Sequence, residues 1–139
     1  MFKCLDKYKN KGQFEFRVGD KLSYHCKNVP NESGVYLIYT ITDDIEDLVY
    51  IGASGKIKQD GTFPIQKLKR RLQNMQESGL RRQTHFENQM NENIIDEIRV
   101  RWYVTFDDEI KHLPLYVEAV LFQEFFEKYK QLPKWNKQA

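Results

Sequence analysis

The sequence predicts a single small α/β domain whose elements follow the order ββααβα. Three observations support this prediction: two β-rich runs at residues 34–41 and 48–52 flank an acidic turn, residues 98–106 alternate between apolar and polar side chains, and prolines precede two stretches with helical periodicity. A chain of 139 residues can bury one real core but hardly two independent ones.

The first two strands are expected to form a hairpin. Residues 34–41, GVYLIYTI, are rich in β-branched and aromatic side chains, residues 42–47 supply a turn, and residues 48–52 return. Upstream, residues 13–18 alternate and predict one short strand within an N-terminal extension over residues 1–33.

The rest of the chain predicts three helices and one strand. Proline suits the first turn of a helix, and glycine commonly ends one. The predicted bounds are a helix at 65–78 between Pro64 and Gly79, a helix at 84–96, a strand at 98–106, and a helix from Pro114 to about residue 130, before Pro133.

Composition narrows the class of protein. The chain is 40% hydrophobic and 30% charged, which is normal for a globular domain and too apolar for a disordered one. It has no apolar run of roughly 18 residues and no signal-peptide pattern at Met1, so we expect a cytoplasmic protein with no membrane partner. Cys4 and Cys26 lack the spacing of a zinc site, and we expect both to be structural.

Charge is distributed unevenly along the chain, although the net charge is only +2. Residues 53–85 hold eight basic and two acidic side chains, whereas residues 87–110 hold seven acidic side chains and two arginines. Such polarity suits an anionic ligand that approaches one side, and a solvated helix face is the alternative explanation. The basic residues that we expect to contact nucleic acid are Lys56, Lys58, Lys69, Arg70, Arg81 and Arg82.

Helical geometry selects one carboxylate on the last helix. At 100° per residue, Phe122 and Phe125 lie about 40° and about −20° from Glu118, which predicts that Glu118 lies in the middle of the buried face. A carboxylate in that position has to be paired, bound to a metal or placed at the mouth of a pocket, because burying it alone would cost several kcal/mol.

The same geometry separates two arginines on the first long helix. Arg71 lies about 60° from the centre of the apolar stripe that contains Leu68 and Leu72, whereas Arg70 points about 160° away. We therefore expect Arg71, and not Arg70, to reach a site beside the core. An ordinary flanking arginine is the alternative.

Five features occur in a characteristic order: Gly34-Val35-Tyr36, Tyr50-Ile51-Gly52, Arg71, Glu118 and Asn136. This set resembles the GIY-YIG nuclease family over roughly residues 34–136. The resemblance implies an α+β sandwich, with a three-stranded antiparallel sheet flanked by helices, as the catalytic domain at residues 34–139.

The resemblance also implies roles for these residues in the hydrolysis of DNA phosphodiester bonds. Tyr36 and Tyr50 would line the catalytic surface, Arg71 would contact the scissile phosphate, and Glu118 would bind one divalent cation, Mg²⁺ or Mn²⁺. Tyr50 would take the proton from the attacking water, for which a phenol with a free pKa near 10 needs nearby positive charge. The supporting residues are Gly34, Gly52 and Asn136, with Lys67 and Arg71 as sources of that charge.

Two departures from the family pattern leave an alternative open. Arg71 follows Gly52 by 19 positions, so residues 53–66 are expected to be an inserted loop, and Met75 stands where many members have histidine or tyrosine. His85 is a candidate to replace that side chain. The alternative function is a nucleic-acid-binding module that has lost catalysis, and a protein-interaction domain is a third. Target recognition would come from the first 33 residues, the inserted loop, a homodimer or a separate partner.

Overall fold

An antiparallel sheet forms the centre of the fold in the computed structural model, which describes residues 1–63, 67–73 and 81–139. In these residues the strands β1 (Lys11–Phe16), β2 (Ser33–Thr42), β3 (Ile45–Ala53) and β4 (Glu97–Phe106) lie in the order β1-β4-β2-β3. The chain therefore has an α+β fold in which β2 and β4 are central and β1 and β3 are the edges.

The expectation of three strands is wrong, because the N-terminal extension adds a fourth. β1 pairs with β4 from Lys11 opposite Tyr103 to Phe16 opposite Ile98. This strand lies two residues earlier than predicted. Phe14 and Phe16 face the core, while Val18 lies beyond the strand and is exposed.

The hairpin between β2 and β3 is tighter than the predicted turn over residues 42–47. Asp43 and Asp44 form its loop with φ values of 51° and 65°, the left-handed conformation typical of two-residue hairpin loops. Glu46 and Asp47 are already part of β3, opposite Ile41 and Thr40. Their acidic side chains are compatible with the strand because they are exposed on an edge strand.

The other described elements are helices. The α-helices are α1 (Leu22–His25), α2 (Leu68–Gln73), α3 (Arg82–Glu92) and α4 (Pro114–Tyr129), and two 3-10 helices span Lys3–Leu5 and Cys26–Asn28. α4 agrees with its prediction to within a residue, whereas α3 ends four residues earlier than predicted. The predicted helix boundaries at Pro64 and Gly79, and Met75 between them, lie outside the described residues.

Two apolar clusters lie on opposite faces of the sheet, because successive side chains of a strand alternate between faces. The face that carries Tyr36 and Tyr50 packs against α1, α2 and α3. The face that carries Val35, Leu37 and Ile51 packs against α4 and the N-terminal residues Phe2, Leu5 and Tyr8. None of the helices in the described ranges has the length and apolar character needed to cross a membrane.

Candidate functional site

We call Gly34-Val35-Tyr36 and Tyr50-Ile51-Gly52 the tyrosine-glycine strings. Close packing requires the glycine of each. A Cβ atom at Gly34 would lie 1.9 Å from the carbonyl oxygen of Tyr103, where β2 meets β4 beside a register shift. A Cβ atom at Gly52 would lie 2.4 Å from Cζ of Tyr36. Gly34 therefore permits strand pairing, and Gly52 makes room for the Tyr36 ring.

Tyr36 and Tyr50 form one aromatic pair. Tyr36 lies opposite Gly52 and Ile38 lies opposite Tyr50, so the tyrosines are diagonal neighbours on one face of the sheet. Their rings stack with centroids 6.0 Å apart and an interplanar angle of 24°. Tyr36 is 0% exposed, whereas Tyr50 is 7% exposed and reaches a cleft.

A buried arginine lies against this pair. The guanidinium carbon of Arg82 is 5.3 Å from the ring centroid of Tyr36 and 5.2 Å from that of Tyr50. Nη2 of Arg82 donates a hydrogen bond of 2.9 Å to Oη of Tyr36 and a longer one of 3.4 Å to the carbonyl oxygen of Arg71. The side chain, which belongs to α3, therefore bonds both to the sheet and to α2.

Arg82 was predicted to be a surface contact for nucleic acid, and the structure places it elsewhere. It is 1% exposed, while its neighbour Arg81 is exposed. The helical spacing contains the signal for this position, because Arg82, Phe86 and Met90 follow one another at intervals of four and share the buried side of α3. Arg82 is therefore the main site residue whose position sequence reasoning missed.

Three of the four predicted catalytic residues line a single cleft of about 1120 Å³ beside strand β3. We call it the edge cleft. Tyr50 enters from the face covered by α1 to α3, and Glu118 enters from α4 on the opposite face. Arg71 contributes from α2. Residues from both layers can meet here because β3 is the last strand of the sheet.

The edge cleft carries excess positive charge. Among its described lining side chains, Glu118 is accompanied by four cations, namely Lys56, Lys58, Arg70 and Arg71. Arg70 was expected to point away from any site beside the core, and it is exposed, but it also lines this cleft. Arg70 and Arg71 therefore line the same cleft, although they lie on different faces of α2.

Glu118 is half-buried rather than central in the buried face of α4. Phe126 and Tyr129 are exposed at 48% and 47%. The buried residues of α4 are Pro114, Val117, Leu121, Phe122 and Phe125. The centre of the buried face is thus rotated away from Glu118. Glu118 is one of the residues that line the edge cleft.

Asn136 fastens the C-terminal segment to the outer side of β3. Its Oδ1 accepts a hydrogen bond of 2.9 Å from the backbone nitrogen of Ile51, and its Nδ2 donates one of 3.0 Å to the carbonyl oxygen of Ile51. The backbone nitrogen of Trp135 adds a bond of 2.9 Å to the carbonyl oxygen of Val49. These bonds bracket Tyr50 and satisfy backbone groups of an edge strand.

Ser54 is a second residue that the sequence did not single out. It is 1% exposed and lines the edge cleft. Its Oγ accepts a hydrogen bond of 2.9 Å from the backbone nitrogen of Gly34, and its own nitrogen donates one of 2.9 Å to the carbonyl oxygen of Gly34. Ser54 therefore joins the end of β3 to the first tyrosine-glycine string.

Other predicted residues lie outside the described lining of the edge cleft. His85 is half-buried, and its ring meets the indole of Trp135 edge-on with centroids 4.7 Å apart. Burial, with a smaller contribution from the Arg82 cation, lowers the pKa of His85 to about 4, so it is neutral at pH 7. Lys67 and Lys69 are half-buried near the start of α2, where the Lys67 carbonyl accepts from the Arg71 nitrogen.

The donors present set limits on metal binding. Within residues 1–63, 67–73 and 81–139, no three His, Cys, Asp or Glu side chains cluster as a metal-binding group. Mg²⁺ commonly keeps several water ligands and takes one or two protein carboxylates together with substrate phosphate oxygens. Glu118, the one carboxylate side chain among the described lining residues of the basic edge cleft, fits that mode of binding.

Comparisons with protein-family models, with curated proteins and with solved structures find no match for this chain.

Proposed function

We propose that this protein is a divalent-cation-dependent endonuclease that hydrolyses phosphodiester bonds of DNA. The observation that carries the proposal is the presence of Tyr50, Arg71 and Glu118 in one cleft together with three further cations. A polyanion would be attracted to such a surface, and the three side chains can supply a general base, a phosphate contact and a metal ligand for phosphodiester hydrolysis.

Each residue has a role in this proposal. The Arg71 guanidinium donates hydrogen bonds to the oxygens of the scissile phosphate and stabilises the charge that develops on them. The Tyr50 hydroxyl, as phenolate, accepts the proton of the attacking water. The Arg82 guanidinium, 5.2 Å from the ring centroid of Tyr50, contributes positive charge behind the tyrosine pair.

Glu118 would hold Mg²⁺ or Mn²⁺ through its carboxylate in the edge cleft. The bound ion would polarise the phosphate and neutralise charge on the leaving oxygen. Asn136 and Gly52 act indirectly in this scheme. Asn136 fixes the strand that presents Tyr50, and Gly52 admits the Tyr36 ring on which Tyr50 stacks.

The test is cleavage of supercoiled plasmid DNA with Mg²⁺ or Mn²⁺ by the natural chain and by Glu118→Gln. We expect the substitution to lower the rate by about 10²-fold or more, as when one electrostatic transition-state group is removed. Glu127→Gln is the matched control, because Glu127 is exposed on the same helix and does not line the edge cleft.

Two results would contradict the proposal: no cleavage by the natural chain, or equal cleavage by Glu118→Gln. Salt-sensitive DNA binding by both forms without turnover would instead favour the alternative, a nucleic-acid-binding module that has lost catalysis.

A further inference from the structure

A second cleft, of about 900 Å³, lies between the turn that precedes α1 and the helices α2 and α3. We call it the N-terminal cleft. Its lining includes Lys21 and Ser23 from the N-terminal segment, Arg71 from α2, and Arg81, Gln83 and Glu87 from the start of α3. Arg71 lines both clefts, so the two open on either side of one side chain.

The turn that carries Lys21 is held in place by specific hydrogen bonds. Gln83 Oε1 accepts a bond of 2.6 Å from the backbone nitrogen of Leu22, and its Nε2 donates one of 3.0 Å to the carbonyl oxygen of Asp20. The Gln83 side-chain amide thus hydrogen-bonds to the backbone on both sides of Lys21. The segment outside the predicted catalytic domain is therefore positioned by the helix that also carries Arg82.

Among the described lining residues of this cleft, three cations, Lys21, Arg71 and Arg81, outnumber the two carboxylates of Asp20 and Glu87. The Asp20 carboxylate accepts from the backbone nitrogen of Arg17 and pairs with His25, and these two bonds lower the pKa of Asp20. Glu87 is exposed, and its negative charge offsets part of the positive charge of the cleft. Lys21 and Arg81 are both exposed beside the half-buried Arg71.

We propose that the N-terminal cleft binds the phosphate backbone of a nucleic-acid strand next to the phosphate held in the edge cleft. This inference rests on the proposed function for the nature of the ligand. A strand carries one phosphate charge about every 3.4 Å, so a strand that crosses Arg71 presents further phosphates to Lys21 and Arg81. Phosphate contacts of this kind fix the register and orientation of a duplex on a protein.

The experiment measures binding of a fluorescently labelled DNA duplex as a function of salt, in the Glu118→Gln background so that cleavage does not interfere. Lys21→Ala/Arg81→Ala is expected to weaken binding and to reduce the slope of log affinity against log salt by about 2, since each phosphate-contacting cation contributes about 1. Lys9→Ala/Lys128→Ala removes the same charge at exposed positions outside both clefts and should leave the slope unchanged.

A second pair of variants removes a carboxylate instead of a cation and tests for an increase in DNA affinity. Glu87→Gln should tighten binding, because a carboxylate no longer repels the strand. Glu92→Gln, on the same helix but outside the cleft, should have no such effect. Equal slopes for the two double variants, or equal affinities for the two glutamine variants, would overturn the inference.

Plasmid cleavage by the chain with Glu118 intact distinguishes failure of this inference from failure of the proposed function. Cleavage that depends on Glu118, combined with equal slopes for the two double variants, means that the inference fails while the proposed function stands. Absence of cleavage, combined with the predicted loss of slope, means that the N-terminal cleft binds nucleic acid although the proposed catalysis fails. A natural chain that binds no DNA duplex contradicts both.

Discussion

The two tyrosine-glycine strings are alike in sequence and opposite in situation. The first is in β2, a central strand paired on both sides, and its Tyr36 is 0% exposed beneath Gly52. The second is in β3, an edge strand whose outer side is bound by Trp135 and Asn136, and its Tyr50 lines the edge cleft. The comparison teaches that position in the sheet, rather than the motif itself, decides which tyrosine can meet a ligand.

The largest expected difference between the strings is in activity. If the proposed function holds, Tyr50→Phe should lower the cleavage rate by about 10²- to 10⁴-fold, the usual contribution of a general base. Tyr36→Phe removes the hydroxyl that accepts from Arg82, so its main effect should be a loss of about 1–3 kcal/mol of unfolding free energy. Initial rates and urea unfolding of both variants test this contrast, and equal losses of rate would contradict it.

Alanine substitutions of Gly34 and Gly52 should lower the unfolding free energy by different amounts. Gly34→Ala places a Cβ against the backbone oxygen of Tyr103, which cannot move without disturbing β2–β4 pairing, and we expect a loss of about 3 kcal/mol or more. Gly52→Ala places a Cβ against the side chain of Tyr36, and we expect about 1–3 kcal/mol. Urea midpoints rank the two variants, and Gly61→Ala is a reference for a glycine with open space but a φ of +85°.

The support of the edge strand is tested at Asn136. Asn136→Asp keeps the shape of the side chain but replaces the donor to the Ile51 carbonyl by a second acceptor. We expect a loss of about 1–3 kcal/mol in unfolding free energy, together with lower cleavage, because the strand that presents Tyr50 is no longer held. Asn88→Asp, at an exposed position of α3, is the control, and matching losses in the two variants would argue against a specific role for Asn136.

The smallest expected effect is a pH dependence at His85, which packs on Trp135 of the same C-terminal segment. An unfolded histidine has a pKa of about 6.5, while burial and Arg82 lower that of His85 to about 4. Between these values the unfolded state binds the extra proton, so the unfolding free energy falls as the pH falls through this window.

We expect His85 to contribute about 1 kcal/mol of this decline, less than the full shift would give because the side chain is partly exposed. Urea unfolding at about pH 7 and about pH 4.5 measures it, and the decline should be smaller in His85→Gln. An identical decline in both proteins would show that other groups cause it.

Patterns with a strong local signal predicted most of the fold. Alternation located β4, a proline and an apolar stripe located α4, and the β-rich runs located β2 and β3. The fourth strand was the main failure. β1 was anticipated as a short strand, but its pairing with β4 joins residues some 90 positions apart, which local periodicity does not encode.

The site shows the same division. Helical geometry selected Arg71 and Glu118, and both line the edge cleft. It placed Glu118 too deep, since Glu118 is half-buried, and it excluded Arg70 too readily. Arg82 was assigned to the surface from its charge, although its spacing from Phe86 places it on the buried side of α3.

By itself, the sequence determined the types of the elements from β2 to α4 and the pairing of each tyrosine with a glycine. These follow from the fixed periods of helix and strand and from the side-chain chemistry of each residue. Only the tertiary structure decided that β3 is the edge strand, that Tyr50 rather than Tyr36 faces the cleft, and that Arg82 lies against both rings. Those outcomes depend on strand order and on packing between distant segments, which no local pattern specifies.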